Sequence, residues 1–302
     1  MNIYVTRPSV PNLKIFSKYL KELYKTRMLT TNGKLVKKLE DKLKKKFGVK
    51  YLLVTCNGTI SLEIALKALG IKRGVLTSPF SYVSTPNACK WLNLKVFFSD
   101  IEIKKYTIDL NKINQKVLNK VDCILPTHVF GIEANIIKLC NFAKKNKKKV
   151  IFDAAHCFGV KYKKKSILNY GDASILSFQA TKIFNTCEGG AVIFKKKKDF
   201  LKARKLINIG YDYYSKSAIP SDGINAKMSE LNAAWGLALL EKYNDILSKK
   251  RKIYQTYKKK LNKSNIKIIN EIFDNNFNYM PIIFKSQKIK DLLFKKLKNK
   301  KI

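Results

Sequence analysis

The sequence is poor in arginine, histidine and acidic side chains. Five arginines (Arg7, Arg27, Arg73, Arg204, Arg251) stand among 62 basic residues, and 21 acids leave a net charge of +41 over 302 residues. Phosphate and base recognition favour arginine's planar fork. The lysines are spread over nearly every expected element, and no RNA-binding aromatic signature accompanies them. No specific nucleic-acid surface is therefore expected; the charge reads as solvated faces, the other reading being a field that attracts anionic substrates. No apolar run approaches the ~20 residues of a membrane helix. The start, Met-Asn-Ile-Tyr-Val-Thr-Arg-Pro, lacks the layout of a secretory signal, so no membrane association is expected. Six cysteines (56, 89, 123, 140, 157, 187) show no paired spacing of the zinc or redox kind. Their apolar contexts suggest buried free thiols in a reducing compartment, the cytoplasm.

What is present is the composition of a soluble globular protein, with 46% hydrophobic and 27% charged residues. The length suits one large domain, expected over residues 1–240, and a smaller one over 241–302. Phe16, Tyr19, Leu20, Leu23 and Tyr24 fall at helical spacing. Leu35, Leu39, Leu43 and Phe47 do so again, with Thr30-Thr31-Asn32-Gly33 as a local cap and Gly48 as the stop. Short apolar runs at 51–54, 75–78, 96–98, 122–126, 150–153, 173–176 and 191–194 read as buried strands. Helices are expected to open at Gly58 and near Phe80, Thr107 and Asn135. Residues 201–224, with Tyr211, Tyr213, Tyr214 and Pro220, read as loop, and Leu231–Leu240 as a long apolar helix. Beyond it lie a helix bearing Ile253, Tyr257 and Leu261, strands at 266–269 and 279–284, and a last helix at 289–297.

Several turns carry chemistry. Lys182 sits between the strands at 173–176 and 191–194, near sheet edges where open α/β folds bind ligands. A lysine close to apolar surroundings loses hydration of its charged form and becomes nucleophilic. In so lysine-rich a chain, a solvated surface lysine is the ordinary alternative. Asn57-Gly58-Thr59 turns into a helix and presents free N–H groups with the positive dipole end, which suits phosphate; capping alone would explain the same residues. Asp153 directly follows a strand and could face a ligand there. Tyr82, on its own, reads as a core tyrosine. His128 reads as a structural or site-lining residue.

The stretch Ser177-Phe178-Gln179-Ala180-Thr181-Lys182, followed by Glu188-Gly189-Gly190-Ala191, resembles the cofactor-lysine segment of the DegT/DnrJ/EryC1/StrS family of sugar aminotransferases. Asn57-Gly58-Thr59, Tyr82 to Thr85, Asp153-Ala154-Ala155-His156 and Gly223 to Glu230 resemble further family segments in the same order. The resemblance implies an α/β fold of the aspartate-aminotransferase type (PLP fold type I): a large mixed-sheet α/β/α domain and a smaller C-terminal α/β domain, here apparently shortened. It implies pyridoxal 5'-phosphate (PLP) as cofactor, carried by Lys182 as a Schiff base, with Lys182 as the proton carrier. Asp153 is implied to pair with the pyridine nitrogen, which keeps the ring an electron acceptor. Asn57, Gly58, Thr59 and Ser177 join the implied cofactor-binding set; Tyr82 is implied to stack on the ring and His156 to lie near its phenolic oxygen. Asn225 is implied to reach the phosphate in the other subunit of a homodimer with shared sites. Lys227 stands where arginine is commoner, and cannot make a bidentate anion contact. The implied reaction takes an amino group from glutamate to C4 of a nucleotide-diphosphate 4-keto-6-deoxyhexose. Lys161, Lys163 and Lys227 are expected to supply charge for the diphosphate. A 3-keto acceptor, and a truncated inactive scaffold or polyanion binder, are the competing readings, and the nucleotide (TDP, UDP or GDP) stays open.

Overall fold

The computed structural model describes residues 3–103, 105–212, 223–261, 266–269 and 275–302. The chain opens with two helices, α1 (Leu13–Thr26) and α2 (Lys34–Phe47). Then come β1 (Tyr51–Thr55), α3 (Gly58–Ala68), β2 (Gly74–Thr77), α4 (Ser84–Trp91), β3 (Lys95–Phe98), a single turn α5 (Gln115–Leu118), β4 (Cys123–Ile124), α6 (Ile136–Lys145) and β5 (Lys149–Asp153). A small hairpin, β6 (Lys161–Tyr162) and β7 (Lys165–Ser166), precedes β8 (Ala173–Ser177), β9 (Gly190–Phe194) and α7 (Lys197–Leu206). The described remainder holds α8 (Glu230–Glu241), α9 (Tyr243–Leu261), β10 (Lys267–Ile268), β11 (Ile282–Ile283) and α10 (Gln287–Asn299).

Seven strands form one sheet in the order β1-β9-β8-β5-β4-β2-β3. β9 runs antiparallel to both β1 and β8, while the pairs β8–β5, β5–β4, β4–β2 and β2–β3 are parallel. This is the mixed sheet expected from the sequence. Two hydrophobic clusters cover its faces. One gathers α2 and α8 around Leu39, Leu43, Leu176, Phe178 and Leu237; the other gathers α3 and α7 around Leu62, Leu66, Ile151, Val192 and Leu206. Strands buried on both faces carry continuous apolar runs rather than alternation, which is why they were readable; the run at 96–98 is the exception, since β3 closes one edge of the sheet, is nowhere fully buried and leaves Phe98 exposed. Strands β1, β5 and β8 point the same way, so Thr55, Asp153 and Ser177 end on one edge of the sheet.

Three local expectations are corrected. The cap of α2 is not supplied by Thr30 to Asn32: the N-cap position is Gly33, which has no side chain to offer. The Glu230 carboxylate instead accepts the N–H groups of Leu35 (2.7 Å) and Val36 (3.0 Å). Residues 201–206 belong to α7, whose buried Ala203 and Leu206 make a stripe too short to read by periodicity; Tyr213, Tyr214 and Pro220 lie outside the described residues. The helix expected near Thr107 is only a 3-10 turn, Leu110–Lys112, and the single turn α5. Gly48 does end α2, at φ 60°, a conformation open to glycine without a Cβ clash.

Candidate active site

A cavity of about 780 Å³ opens at the edge where β1, β5 and β8 end. Asn57, Gly58 and Thr59 line it from the start of α3, Asp153 and His156 from the end of β5, and Ser177 and Lys182 from β8 and its turn. Tyr82 lines it too and is 73% exposed, so it is not a core tyrosine. Of the expected cofactor-binding residues, all but Asn225 therefore converge; the lysines expected to flank the site do not.

The wall at α3 is built for close approach. Asn57 Oδ1 accepts the Ile60 N–H at 2.8 Å and caps the helix, while the N–H groups of Gly58 and Thr59 belong to the first turn, which no helix satisfies internally. A Cβ at Gly58 would stand 2.9 Å from the Ser177 Cβ, so glycine is what lets this turn reach the end of β8. Thr59 Oγ1 donates to Ser84 Oγ at 3.0 Å, which fixes one hydroxyl of this cradle.

Asp153 is buried, with Oδ2 accepting from Thr85 Oγ1 (2.8 Å) and Oδ1 from the Ala155 N–H (3.1 Å). Burial pushes its pKa up, and Thr85, Ala155 and Lys182 offset this only in part. Burial pushes the Lys182 amine down, and Asp153 works against that. Lys182 Nζ lies 3.5 Å from the Tyr279 hydroxyl. His156 Nδ1 accepts the Phe130 N–H at 3.2 Å, which leaves Nε2 to carry the proton of the neutral ring. Burial, with Lys182 nearby, lowers the His156 pKa to about 3.

These residues fit PLP. A first helical turn with unsatisfied N–H groups and hydroxyls suits its phosphate. A buried carboxylate suits a protonated ring nitrogen, and an amine with a depressed pKa suits its aldehyde.

Other expected residues lie elsewhere. Asn225 is exposed and does not line the cavity; its Oδ1 accepts from Lys227 Nζ at 2.7 Å, and its backbone bridges Asn208. Lys161, Lys163 and Lys227 do not line the cavity either, which corrects the expectation that they flank the site: Lys161 begins the β6–β7 hairpin and Lys163 lies in its turn. Among the described lining residues the one lysine or arginine is Lys182, set against the carboxyls of Asp153 and Glu188. His128 is fully buried behind the wall, its ring stacked on Phe152 at 4.7 Å and its Nδ1 accepting the Ala134 N–H at 3.0 Å, so its role is structural. Sequence reasoning assigned nothing to Gln179, Thr181 and Glu188, although all three lie inside the lysine stretch it singled out. It also missed Tyr279, which sits in an unremarkable apolar run.

Comparison with known proteins agrees with this geometry. Residues 13–302 match the DegT/DnrJ/EryC1/StrS aminotransferase family. The dTDP-4-amino-4,6-dideoxy-D-glucose transaminase of Shigella dysenteriae is 38% identical, over 99% of this chain and 83% of its own. The Escherichia coli enzyme of the same name is 37% identical, over 93% of this chain and 76% of its own. Among solved structures, DesI in the presence of its TDP-sugar product superposes with a TM-score of 0.93 at 27% identity, covering 99% of this chain and 78% of that one. NtdA of Bacillus subtilis with bound cofactor PMP gives 0.85 at 26% identity, covering 94% and 66%.

Proposed function

The chain belongs to the DegT/DnrJ/EryC1/StrS aminotransferase family and is a PLP-dependent aminotransferase of fold type I; from that premise we propose that it aminates C4 of a nucleotide-diphosphate 4-keto-6-deoxyhexose, with glutamate as donor, to give a 4-amino-4,6-dideoxy sugar. The carrying observation is one cavity that holds Lys182, Asp153 and the start of α3 together. The names of the Shigella and Escherichia relatives support the choice of sugar.

PLP, when bound, supplies the electron sink that makes the carbon bearing the transferred nitrogen acidic. The chain's residues do the rest. The first turn of α3, with Thr59 and Ser177, binds the phosphate. Asp153, held by Thr85 and Ala155, keeps a proton on the ring nitrogen. Tyr82, exposed at the mouth of the cavity, would pack against the ring, and His156, with Nδ1 occupied by the Phe130 N–H, would offer its Nε2–H to the cofactor. The Lys182 amine, freed by the incoming amine, takes a proton from the donor's α-carbon and, in the second half, delivers one to C4 of the sugar. Burial favours this by keeping part of the amine unprotonated.

A diphosphate needs cations, and the described lining offers few. A homodimer with shared sites answers both this and the position of Asn225, which is exposed and free to face a second copy. A boundary near residue 240 and a cytoplasmic location, in keeping with six free thiols, complete the reading. The test is product analysis with glutamate and matched 3-keto and 4-keto nucleotide sugars. Formation of the 4-amino sugar is expected; turnover of the 3-keto isomer alone would overturn the choice of carbon and leave the cofactor chemistry standing.

A further inference from the structure

Tyr279 reaches the cavity from the C-terminal part of the chain, and its hydroxyl lies 3.5 Å from Lys182 Nζ. The ring is clamped. The His156 ring centroid is 4.6 Å away at a tilt of 46°, and that of Phe130 is 5.8 Å away. The residues before it are anchored as well. Asn276 is buried and donates from Nδ2 to the carbonyls of His156 (2.7 Å) and Phe158 (3.1 Å), while its Oδ1 accepts the Asn278 N–H at 3.1 Å. Tyr279 is thus tied to the loop that carries His156, and a shift of either moves the other.

Five titratable groups among the described lining share the cavity with Lys182: Tyr82 ahead of α4, Asp153 from β5, His156 from the loop after it, Glu188 from the β8–β9 connection, and Tyr279. Among the described residues, only Tyr279 stands in hydrogen-bond contact with Nζ. We propose that Tyr279 is a positioning residue for Lys182, its phenol oxygen accepting an N–H and holding the amine at one place in the cavity whenever it is not covalently engaged. This rests on Lys182 being the reactive amine of the reading above. A long lysine side chain has many rotamers to lose, and a proton carrier serving one face of one carbon gains from losing them beforehand. A neutral partner suits the task, because a carboxylate at the same distance would hold the amine charged. Burial keeps the phenol in that neutral form by raising its pKa.

Tyr279→Phe keeps the clamped ring and removes the oxygen. The first readout is made on the apoprotein. Competitive acetylation across a pH series, quantified on the Lys182 peptide by mass spectrometry, is expected to place the amine's midpoint lower in the variant, because its ammonium form has lost an acceptor. An unchanged midpoint overturns the assignment. The second readout is kinetic: loss of one hydrogen bond predicts about a tenfold fall in kcat, with KM and the PLP dissociation constant within about twofold. A wild-type kcat, or a loss carried by KM, overturns it equally. Tyr279→His, which retains a ring and an acceptor nitrogen, is expected to recover part of the rate, and no recovery counts against the assignment should Tyr279→Phe fold poorly. The acetylation needs no cofactor, so a wild-type protein that shows the midpoint difference between the two chains but takes up no PLP would defeat the proposed function and not this one.

Discussion

Lys182 and Asp153 share one cavity, and one cause moves them in opposite directions: burial lowers the amine's pKa and raises the carboxyl's. Each is costly alone and useful against a ligand that carries an aldehyde and a protonated ring nitrogen. Lys182→Ala should still take up PLP through α3 and Asp153, but borohydride should no longer fix it to the chain, as read by mass spectrometry. Wild-type protein that stays colourless with excess PLP, its fold confirmed, would sink the assignment. The histidines give a second expectation. His128 and His156 each fall from 6.5 to about 3 through burial. Between those values the unfolded chain binds more protons than the folded one, so stability is complete above the upper value and declines as pH falls toward the lower. The two histidines should therefore lower stability, read from urea titrations of the apoprotein, between about pH 7 and about pH 4.5, while the buried carboxyls of Glu40, Glu63, Asp153 and Glu230, whose pKa values burial raises, work in the opposite direction. His128→Gln should flatten part of that slope, and an unchanged slope would show that its burial is not what the protons work against. Lys182, Asp153 and His156 were singled out in the sequence because each sits inside a run of several residues that resemble a family segment, and the fold brings all three to one cavity. Tyr279 was not. A tyrosine in an apolar strand looks the same whether its hydroxyl meets water or an amine, and only the fold brings residue 279 to residue 182.

At the scale of elements, the sheet was readable, and helix ends were readable only where the capping residue adjoins its helix. Buried strands announce themselves by composition, within their own few residues. Helix ends need a partner for their N–H groups, and that partner can come from anywhere in the chain. Asn57 caps α3 from the adjoining position and was read correctly as a helix start. Glu230 caps α2 from the start of α8, and nothing near Gly33 signals it. Glu230 is 2% exposed, and its negative charge meets the positive end of the α2 dipole, so its burial is compensated by geometry rather than by a cation. Glu230→Ala should destabilise the protein by about 2 kcal/mol, the sum of two hydrogen bonds to a charged acceptor less the relief of its desolvation. Glu230→Gln, with one acceptor oxygen left, should cost less. Chemical denaturation at neutral pH decides it: equal midpoints for wild type and Glu230→Ala would mean that solvent serves the N–H groups of Leu35 and Val36 equally well. Because α2 and α8 pack together over the main core, the loss is expected to be global rather than confined to the N-terminal helices.

On the scale of the whole molecule, the chain carries +41 while the described lining of its cavity has a single lysine. Among the described residues the charge lies mostly outside the site, which agrees with the reading of solvated faces and not with lysines flanking the cavity. The fold class followed from the resemblance of several segments to one family; the assembly could not be read from the residues themselves, because a surface meant for a second copy has the same composition as one meant for water. Asn225 is where the two views meet. Its neighbours Ala226 and Met228 are buried, and the Cys56 N–H bonds to the Ala226 carbonyl at 2.9 Å, so the segment is anchored while Asn225 itself stays exposed. If Asn225 completes the phosphate site of a partner subunit, every site takes its lysine from one chain and its asparagine from the other. Lys182→Ala and Asn225→Ala chains should each be weakly active alone. Mixed after gentle unfolding and reassembly, a statistical half of the dimers are mixed, and in each of these one site carries both defects and the other none. About a quarter of the wild-type sites should therefore return, since a twofold dimer sorts its defects in this way. Should Asn225 act within its own chain, every site in the mixture would keep one defect and no activity would return. Sedimentation at the assay concentration closes the remaining route, since an active monomer would exclude shared sites whatever the mixing experiment gave.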